Sequence, residues 1–368
     1  MKKNSLVLLT ALLFAALGRG AEPVRAEVLA VMERAADWQI AHPRSNDKEG
    51  KPDGWVNAAF YAGAMALARD SASPRFHDAM LKMAEGNQWK PGVRLYHADD
   101  HVVTQTYLDL YLQHHEARML APTQERFDYI LAHRAVTSLD FDKQKNPKSQ
   151  ERWSWCDALF MSPPAWARLW QATGNQAYLD FAVSEWWFTS DYLYDKEEHL
   201  YFRDSSIFAQ REQNGRKIFW SRGNGWVMGG LVRMLELLPS DHPARPRFET
   251  QFREMAEKII TLQQADGFWR ASLLAPEHYP MQETSGTGFY CYAFAWGINH
   301  GLLDRARFEP SVRRAWAALA SCVNAAGKLT HVQPIGFTPV TFDPESSEPF
   351  GVGAFLLAGS EVSHLVPR

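Results

Sequence analysis

Helical periodicity dominates this chain from end to end. After Pro23, residues 26–41 place Val28, Leu29, Val31, Met32, Ala35 and Trp38 on one stripe, the pattern of an amphipathic helix. Residues 56–69 are apolar nearly all round, as expected of a helix covered on both sides. The same spacing predicts further helices over 75–86, 101–114, 122–136, 156–173, 176–191, 223–238, 244–264, 286–301, 308–323 and 351–363. Long and short links alternate between them, and several carry Trp, Gly and Asp, as in Asp53-Gly54-Trp55 and Asp266-Gly267-Phe268-Trp269. About a dozen helices in antiparallel pairs, each pair leaving an apolar face that only its neighbours can cover, predict an all-α fold, the (α/α)6 barrel: an inner ring of helices inside an outer one. Residues 192–220 interrupt the pattern, and Tyr201-Phe202-Arg203 suggests a short β-hairpin there; residues 327–347 read as irregular.

At 368 residues and 46% apolar content the chain can bury a large core, and no Gly/Ser/Pro-rich linker divides it, so residues 21–368 are expected to form a single domain. Lys2 and Lys3, an apolar run from Leu6 to Leu17, and Gly18-Arg19-Gly20-Ala21 describe a secretory signal peptide over residues 1–20, which predicts export to the periplasm or beyond. The run is too short to span a bilayer comfortably, so no membrane contact is expected after cleavage. A net charge of -3, from 39 basic and 42 acidic residues, gives no pull towards nucleic acid. A monomer is expected. Cys156, Cys291 and Cys322 are too few and too widely spaced for a disulfide framework or a zinc site, and read as buried free thiols.

Five segments combine polar groups with aromatics where helices are expected to begin. The most informative is Trp153-Ser-Trp-Cys-Asp-Ala-Leu-Phe-Met161, in which Asp157 is a lone acid in an apolar run. A carboxylate there is costly to desolvate, so it is paired, protonated or working, or it caps the following helix. His97-Ala-Asp-Asp-His101 holds two consecutive acids; one is expected to cap a helix, and the second exceeds what a cap needs. Asp53-Gly54-Trp55 lies close to Asn57 and Tyr61. Trp220-Ser-Arg-Gly-Asn-Gly-Trp226 places Arg222, suited to a ligand carboxylate or else tied to a structural Asp, beside small residues. Gln282-Glu-Thr-Ser-Gly-Thr-Gly288, with Thr287, suits an anion, a sugar or simply a well-capped helix. His97 and His101 have helical spacing but no third convergent ligand, so neither a metal nor a cofactor is expected.

Trp-Cys-Asp-Ala-Leu-Phe-Met at 155–161, Trp-Ser-Arg-Gly-Asn-Gly-Trp at 220–226, Glu-Thr-Ser-Gly-Thr-Gly at 283–288 and Gly-Val-Gly-Ala-Phe-Leu-Leu-Ala at 351–358 resemble glycoside hydrolase family 105, the unsaturated rhamnogalacturonyl hydrolases, which are related to the unsaturated glucuronyl hydrolases of family 88. The resemblance implies a helical barrel that acts on an oligosaccharide ending in a 4,5-unsaturated uronic acid, and that hydrates the C4=C5 bond rather than using two carboxylates on the glycosidic bond. It implies Asp157 as general acid and Asp100, directly before His101, as its assistant, with Asp99 the alternative. Trp155, Trp220, Arg222 and Trp226 match binding positions, and Trp55, Tyr61, His101, Met161 and Thr287 complete the set of candidates. Arg203 stands where family members often carry a histidine, and Asn146 to Ser149 stand where another is usual, so Arg203 is a candidate anion-binding group. An inverting glycosidase, a sugar epimerase or a non-catalytic oligosaccharide-binding protein on the same barrel are the competing readings.

Overall fold

Among the described residues the chain passes through α1 (Arg25–Ala41), α2 (Trp55–Asp70), α3 (Arg75–Gly86), α4 (Val103–His114), α5 (Ala117–Ala132), the single turn α6 (Ala158–Met161), α7 (Pro163–Thr173) and α8 (Gln176–Leu193). A two-stranded antiparallel hairpin follows, β1 (Tyr194–Asp195) and β2 (Leu200–Tyr201), with Tyr194 opposite Tyr201. Then come α9 (Ser221–Leu237), α10 (Arg245–Ile260), α11 (Thr284–Asn299), α12 (Arg305–Ser321) and α13 (Pro349–Leu365). The structure is a computed structural model and describes residues 24–45, 50–142 and 144–367; the expected signal peptide lies outside them.

Burial separates the helices into two sets. In α3 only Phe76, Met80 and Ala84 are buried, a single stripe at four-residue spacing, so this helix has one face on the core and one in water. In α2 every residue from Val56 to Leu67 is buried, and in α11 every residue from Thr284 to Ile298. Helices of the second kind must be enclosed, and they are: α2, α4, α7, α9, α11 and α13 each pack on the next, and α13 closes the ring on α2. The one-sided helices α1, α3, α5, α8, α10 and α12 lie outside. This is the (α/α)6 barrel. At the closing seam a side chain on Gly63 would strike the backbone of Gly353, and one on Gly353 would strike that of Ala59, so both helices approach only because both positions lack Cβ.

Several predicted boundaries move. The helix expected over 122–136 spans Ala117–Ala132 and carries Pro122 inside it, because buried Met119 pins the preceding turn to the core. The helix expected over 156–173 divides at Ser162, where Pro163 and Pro164 supply no backbone N–H to continue the first turn. The short hairpin and the irregular stretch before α13 form as read from the sequence. Cys156, Cys291 and Cys322 are free and buried.

Because each inner helix is followed by an outer one running back, all six inner helices begin at the same end of the barrel. The chemistry is found there.

Candidate active site

Acids precede five of the six inner helices: Asp53, Asp100, Asp157, Glu283 and Glu348. The sixth, α9, carries Arg222 in its first turn. Carboxylates in this position gain from the partial positive charge of the helix start, so a ring of acids at one mouth follows from the fold. Most are consumed by structure. Glu283 accepts from the backbone N–H of Ser285 at 2.9 Å and of Gly286 at 2.7 Å, capping α11. Glu348 pairs with Arg44.

Asp157 is different. It sits immediately before α6, yet its side chain makes no cap hydrogen bond. It is buried among Trp155, Cys156 and Phe160, with 12% of its side chain exposed, enough for a small group to reach one edge. Burial raises its pKa above the usual carboxylate value, opposed by the charges of Arg203 and Arg222. The Cys156 thiol donates to Asp157 Oδ2 at 3.4 Å, and Arg203 Nε lies 3.8 Å from the same oxygen. The acid is therefore one that holds its proton more readily than an exposed carboxyl while lying against a cation.

The pair of consecutive acids is split by geometry. Neither caps the short 3-10 turn Ala98–Asp100; the imidazole of His97 does, accepting the Asp99 N–H at 3.3 Å. Asp100 Oδ2 accepts from the backbone N–H of Arg94 at 3.0 Å and from Arg94 Nε at 2.6 Å, and its carboxyl rests on Gly92. Asp99 keeps 17% of its side chain exposed, with His97 Nδ1 at 3.6 Å and Arg94 Nη2 at 3.8 Å. Burial pushes its pKa up to about 7; Arg94 opposes the shift, and the neighbouring charges of Asp157 and Asp100 add to it. The protonation of Asp99 thus responds to the charge of Asp157. The family resemblance puts Asp100 forward as the assisting acid, with Asp99 the alternative.

His101 is buried with both ring nitrogens engaged: Nε2 lies 2.9 Å from the Leu95 carbonyl oxygen and Nδ1 2.8 Å from Ser162 Oγ. A carbonyl only accepts, so Nε2 carries the proton and Nδ1 accepts from the serine hydroxyl. Burial lowers its pKa to about 4. Because the folded state binds the proton more weakly than an ordinary histidine does, the stability that neutral His101 provides is complete above about pH 6.5 and is lost as pH falls through 4. Comparing wild type with His101→Gln by denaturant unfolding between pH 7 and pH 4 should show the variant losing about 2–3 kcal/mol less over that window. Parallel acid limbs would contradict this account.

Arg222 is fully enclosed. Nη1 donates to the Gln333 carbonyl at 2.7 Å and Nη2 to that of Pro334 at 2.9 Å, and the guanidinium lies 4.4 Å from the Trp220 ring and 4.8 Å from Phe350. Burial lowers its pKa to about 10. Trp220 Nε1 donates to Gln333 Oε1 at 3.0 Å, so both residues fasten the irregular 327–347 segment to the mouth of the barrel. Trp226 is buried in a cluster with Phe160 and Phe289, and Trp55 stacks on Phe350 with centroids 5.4 Å apart. Trp155 meets His97 at 4.8 Å. Tyr61 and Met161 are buried, Tyr61 with its hydroxyl pKa raised by burial. Thr287 lies within α11, its hydroxyl accepting the Trp269 backbone N–H at 3.1 Å. The structure thus brings Asp157, Asp99, Trp155, Arg203 and Arg222 to one mouth, and places Trp226, Met161 and Thr287 behind it as packing.

The sequence reading missed Gln333, Phe337, Phe141 and Glu348. Only Glu348 left a signal, an acid before a Pro-initiated helix like the other mouth acids. A cavity of about 200 Å³ is lined by His101, Arg152, Trp153, Trp166 and Phe181 and does not include Asp157. Among the described residues no cluster of His, Cys, Asp and Glu is arranged to hold a metal, and no helix is long and apolar enough to cross a membrane.

The chain is similar to known glycoside hydrolases along most of its length. The family model described as Glycosyl Hydrolase Family 88 matches residues 31–366. An unsaturated 3S-rhamnoglycuronyl hydrolase of Formosa agariphila is 40% identical over 349 residues, covering 92% of this chain and 91% of that one. A protein of the same name from Alteromonas sp. (strain LOR) is 35% identical, covering 90% and 84%. A solved family 88 glycosyl hydrolase from Bacteroides vulgatus superposes with a TM-score of 0.82 at 31% identity, covering 93% of this chain and 99% of that one.

Proposed function

Because the chain belongs to Glycosyl Hydrolase Family 88, we propose that this glycoside hydrolase removes a 4,5-unsaturated uronyl residue from the non-reducing end of an oligosaccharide, and that its substrates are of the 3S-rhamnoglycuronyl class for which the two curated relatives are named. The observation that carries the reading is Asp157: a buried carboxyl with a raised pKa, on the edge of a mouth that also holds cations.

The chemistry follows from the atoms. The protonated Asp157 carboxyl gives its proton to C4, and the C4=C5 electron pair forms the new C–H bond. The positive charge left at C5 is shared with the ring oxygen. Water adds at C5 and returns a proton to the Asp157 carboxylate, which restores the acid. The C5 hemiketal then opens by breaking the bond between C5 and the ring oxygen, leaving a ketone at C5 and a hemiacetal at C1 that expels the aglycone. A carboxyl kept protonated by burial is what the first step requires, and the neighbouring Asp99 carboxyl favours the same protonation state when ionised. We read the N-terminal Lys2-Lys3 and apolar run as supporting export, which would bring the enzyme to the products of extracellular polysaccharide lyases.

The enol ether conjugated to the carboxylate absorbs in the ultraviolet, and hydration destroys that chromophore. The expected result is a fall in absorbance on unsaturated 3S-rhamnoglycuronyl oligosaccharides together with release of the aglycone sugar. An ordinary glycosidase would release the uronate with its double bond intact; aglycone release at constant absorbance would therefore refute the hydration mechanism.

A further inference from the structure

Arg203 is fixed against the general acid by the backbone itself. Its carbonyl accepts the Cys156 N–H at 2.8 Å, and the preceding strand is held by Asn224, whose side-chain oxygen accepts the Tyr201 N–H at 2.7 Å. The guanidinium lies between Phe141, 4.9 Å from the ring centre, and Phe337, at 5.8 Å, with Nη1 donating to Asp204 at 2.6 Å. Asp204 is in turn held by the Ser206 backbone N–H at 2.9 Å. Of the five N–H donors on a guanidinium, only one on Nη1 is committed to a hydrogen bond, and Nε has no hydrogen-bond partner although it is buried 3.8 Å from Asp157 Oδ2. A rigid cation with uncommitted donors beside an acid is arranged for an anion that arrives later.

The substrate supplies one at a defined place. In a 4,5-unsaturated uronate the carboxylate carbon is bonded to C5, two bonds from C4 and so about 2.5 Å from it. When C4 is about 3–3.5 Å from the acid oxygen that protonates it, the carboxylate carbon lies within about 6 Å of that oxygen, and a nitrogen hydrogen-bonded to the carboxylate within about 10 Å of it. Arg203 satisfies this at 3.8 Å. Arg222, the residue the sequence motif puts forward, also has a buried Nε without a hydrogen-bond partner, but both its terminal nitrogens are bound to the Gln333 and Pro334 carbonyls, and it is walled in by Trp220 and Phe350. We propose that Arg203, and not Arg222, is the residue that binds the uronate carboxylate in this enzyme, while Arg222 fastens the 333–334 segment over the mouth. The proposal rests on the unsaturated-uronide reading. Docking of the carboxylate on Arg203 also sets the C4 face of the ring towards Asp157, so one contact both recognises the uronate and aims the reacting atom.

The test compares the free unsaturated uronide with its C6 methyl ester, which keeps the chromophore but not the charge. Wild type should prefer the acid, and Arg203→Gln should reduce the acid-to-ester ratio of kcat/KM about 100-fold, the loss of a charge-assisted contact to a carboxylate. Arg203→Lys should recover part of the preference, since it keeps the charge without the planar fork. Arg222→Lys should instead lower thermal stability and leave the ratio near the wild-type value. A wild-type enzyme that consumes the acid, with a ratio unchanged in Arg203→Gln or collapsed in Arg222→Lys instead, overturns the assignment alone. A wild-type enzyme that consumes neither substrate overturns the uronide reading and the assignment with it.

Discussion

Asp157→Asn should abolish loss of the ultraviolet chromophore, lowering turnover about 1,000-fold or more, while leaving the unfolding midpoint at or slightly above that of the wild type. The amide matches the carboxyl in shape but has no acidic proton to give C4. It also removes the group that burial penalises, for Asp157 is held in a dry setting that raises its pKa. Loss of activity without loss of stability is the signature of a proton donor; a cap residue would show the reverse. The pH dependence of the wild type carries the same sign. The active form has Asp157 protonated, so kcat/KM should fall as pH rises through its raised pKa, with Asp99, near 7, titrating alongside. An Asp157→Asn enzyme of undiminished activity would remove Asp157 from the mechanism.

The largest expected effect on stability lies at the seam where the ring closes. Gly353→Val should destabilise the protein by about 3 kcal/mol or prevent its folding, because the new side chain would overlap the Ala59 carbonyl and the Phe60 backbone. The obstacle is main chain rather than a movable side chain, so relief requires α2 and α13 to separate along their contact. Gly86→Ala is the control. Gly86 ends the outer helix α3, and a Cβ there meets nothing within 4 Å. That variant should be neutral or slightly more stable, through reduced freedom of the unfolded chain. Equal losses for the two, by denaturant unfolding, would show that the close approach at the seam is not what holds the ring.

The helices were legible because burial is periodic within each one. The all-round apolar run at 56–69 and the striped run at 26–41 already separate an enclosed helix from one with a wet face. Boundaries were legible only where local chemistry sets them, as at Asn175, whose side chain accepts the Ala177 N–H at the start of α8. They shifted where packing overrides propensity: Met119 holds a helical turn ahead of Pro122 that proline alone would argue against. In the site, the sequence marked every acid at the mouth except Glu348, since an acid before a helical run is a local pattern. Only the resemblance put Asp100 ahead of Asp99; nothing local ranks the two. Adjacent residues have the same neighbours in sequence, but one carboxyl turns to Arg94 and Gly92 while the other remains open towards Asp157.

The arginines show where local pattern ends. Arg222 stands in the more conspicuous motif, yet its terminal nitrogens are taken by carbonyls 111 and 112 positions away in the chain. Arg203, in a segment that departs from the family pattern, is the cation placed beside the acid. From the sequence alone came the barrel and the mouth at the starts of the inner helices, because periodicity and helix-start chemistry are properties of neighbouring residues; Asp157 as candidate acid came from the resemblance of its motif. Which charges face one another across that mouth, and which donors remain uncommitted, was decided only by the tertiary structure. Coulomb interactions and hydrogen bonds depend on distances between segments that the ring brings together from far apart in the chain.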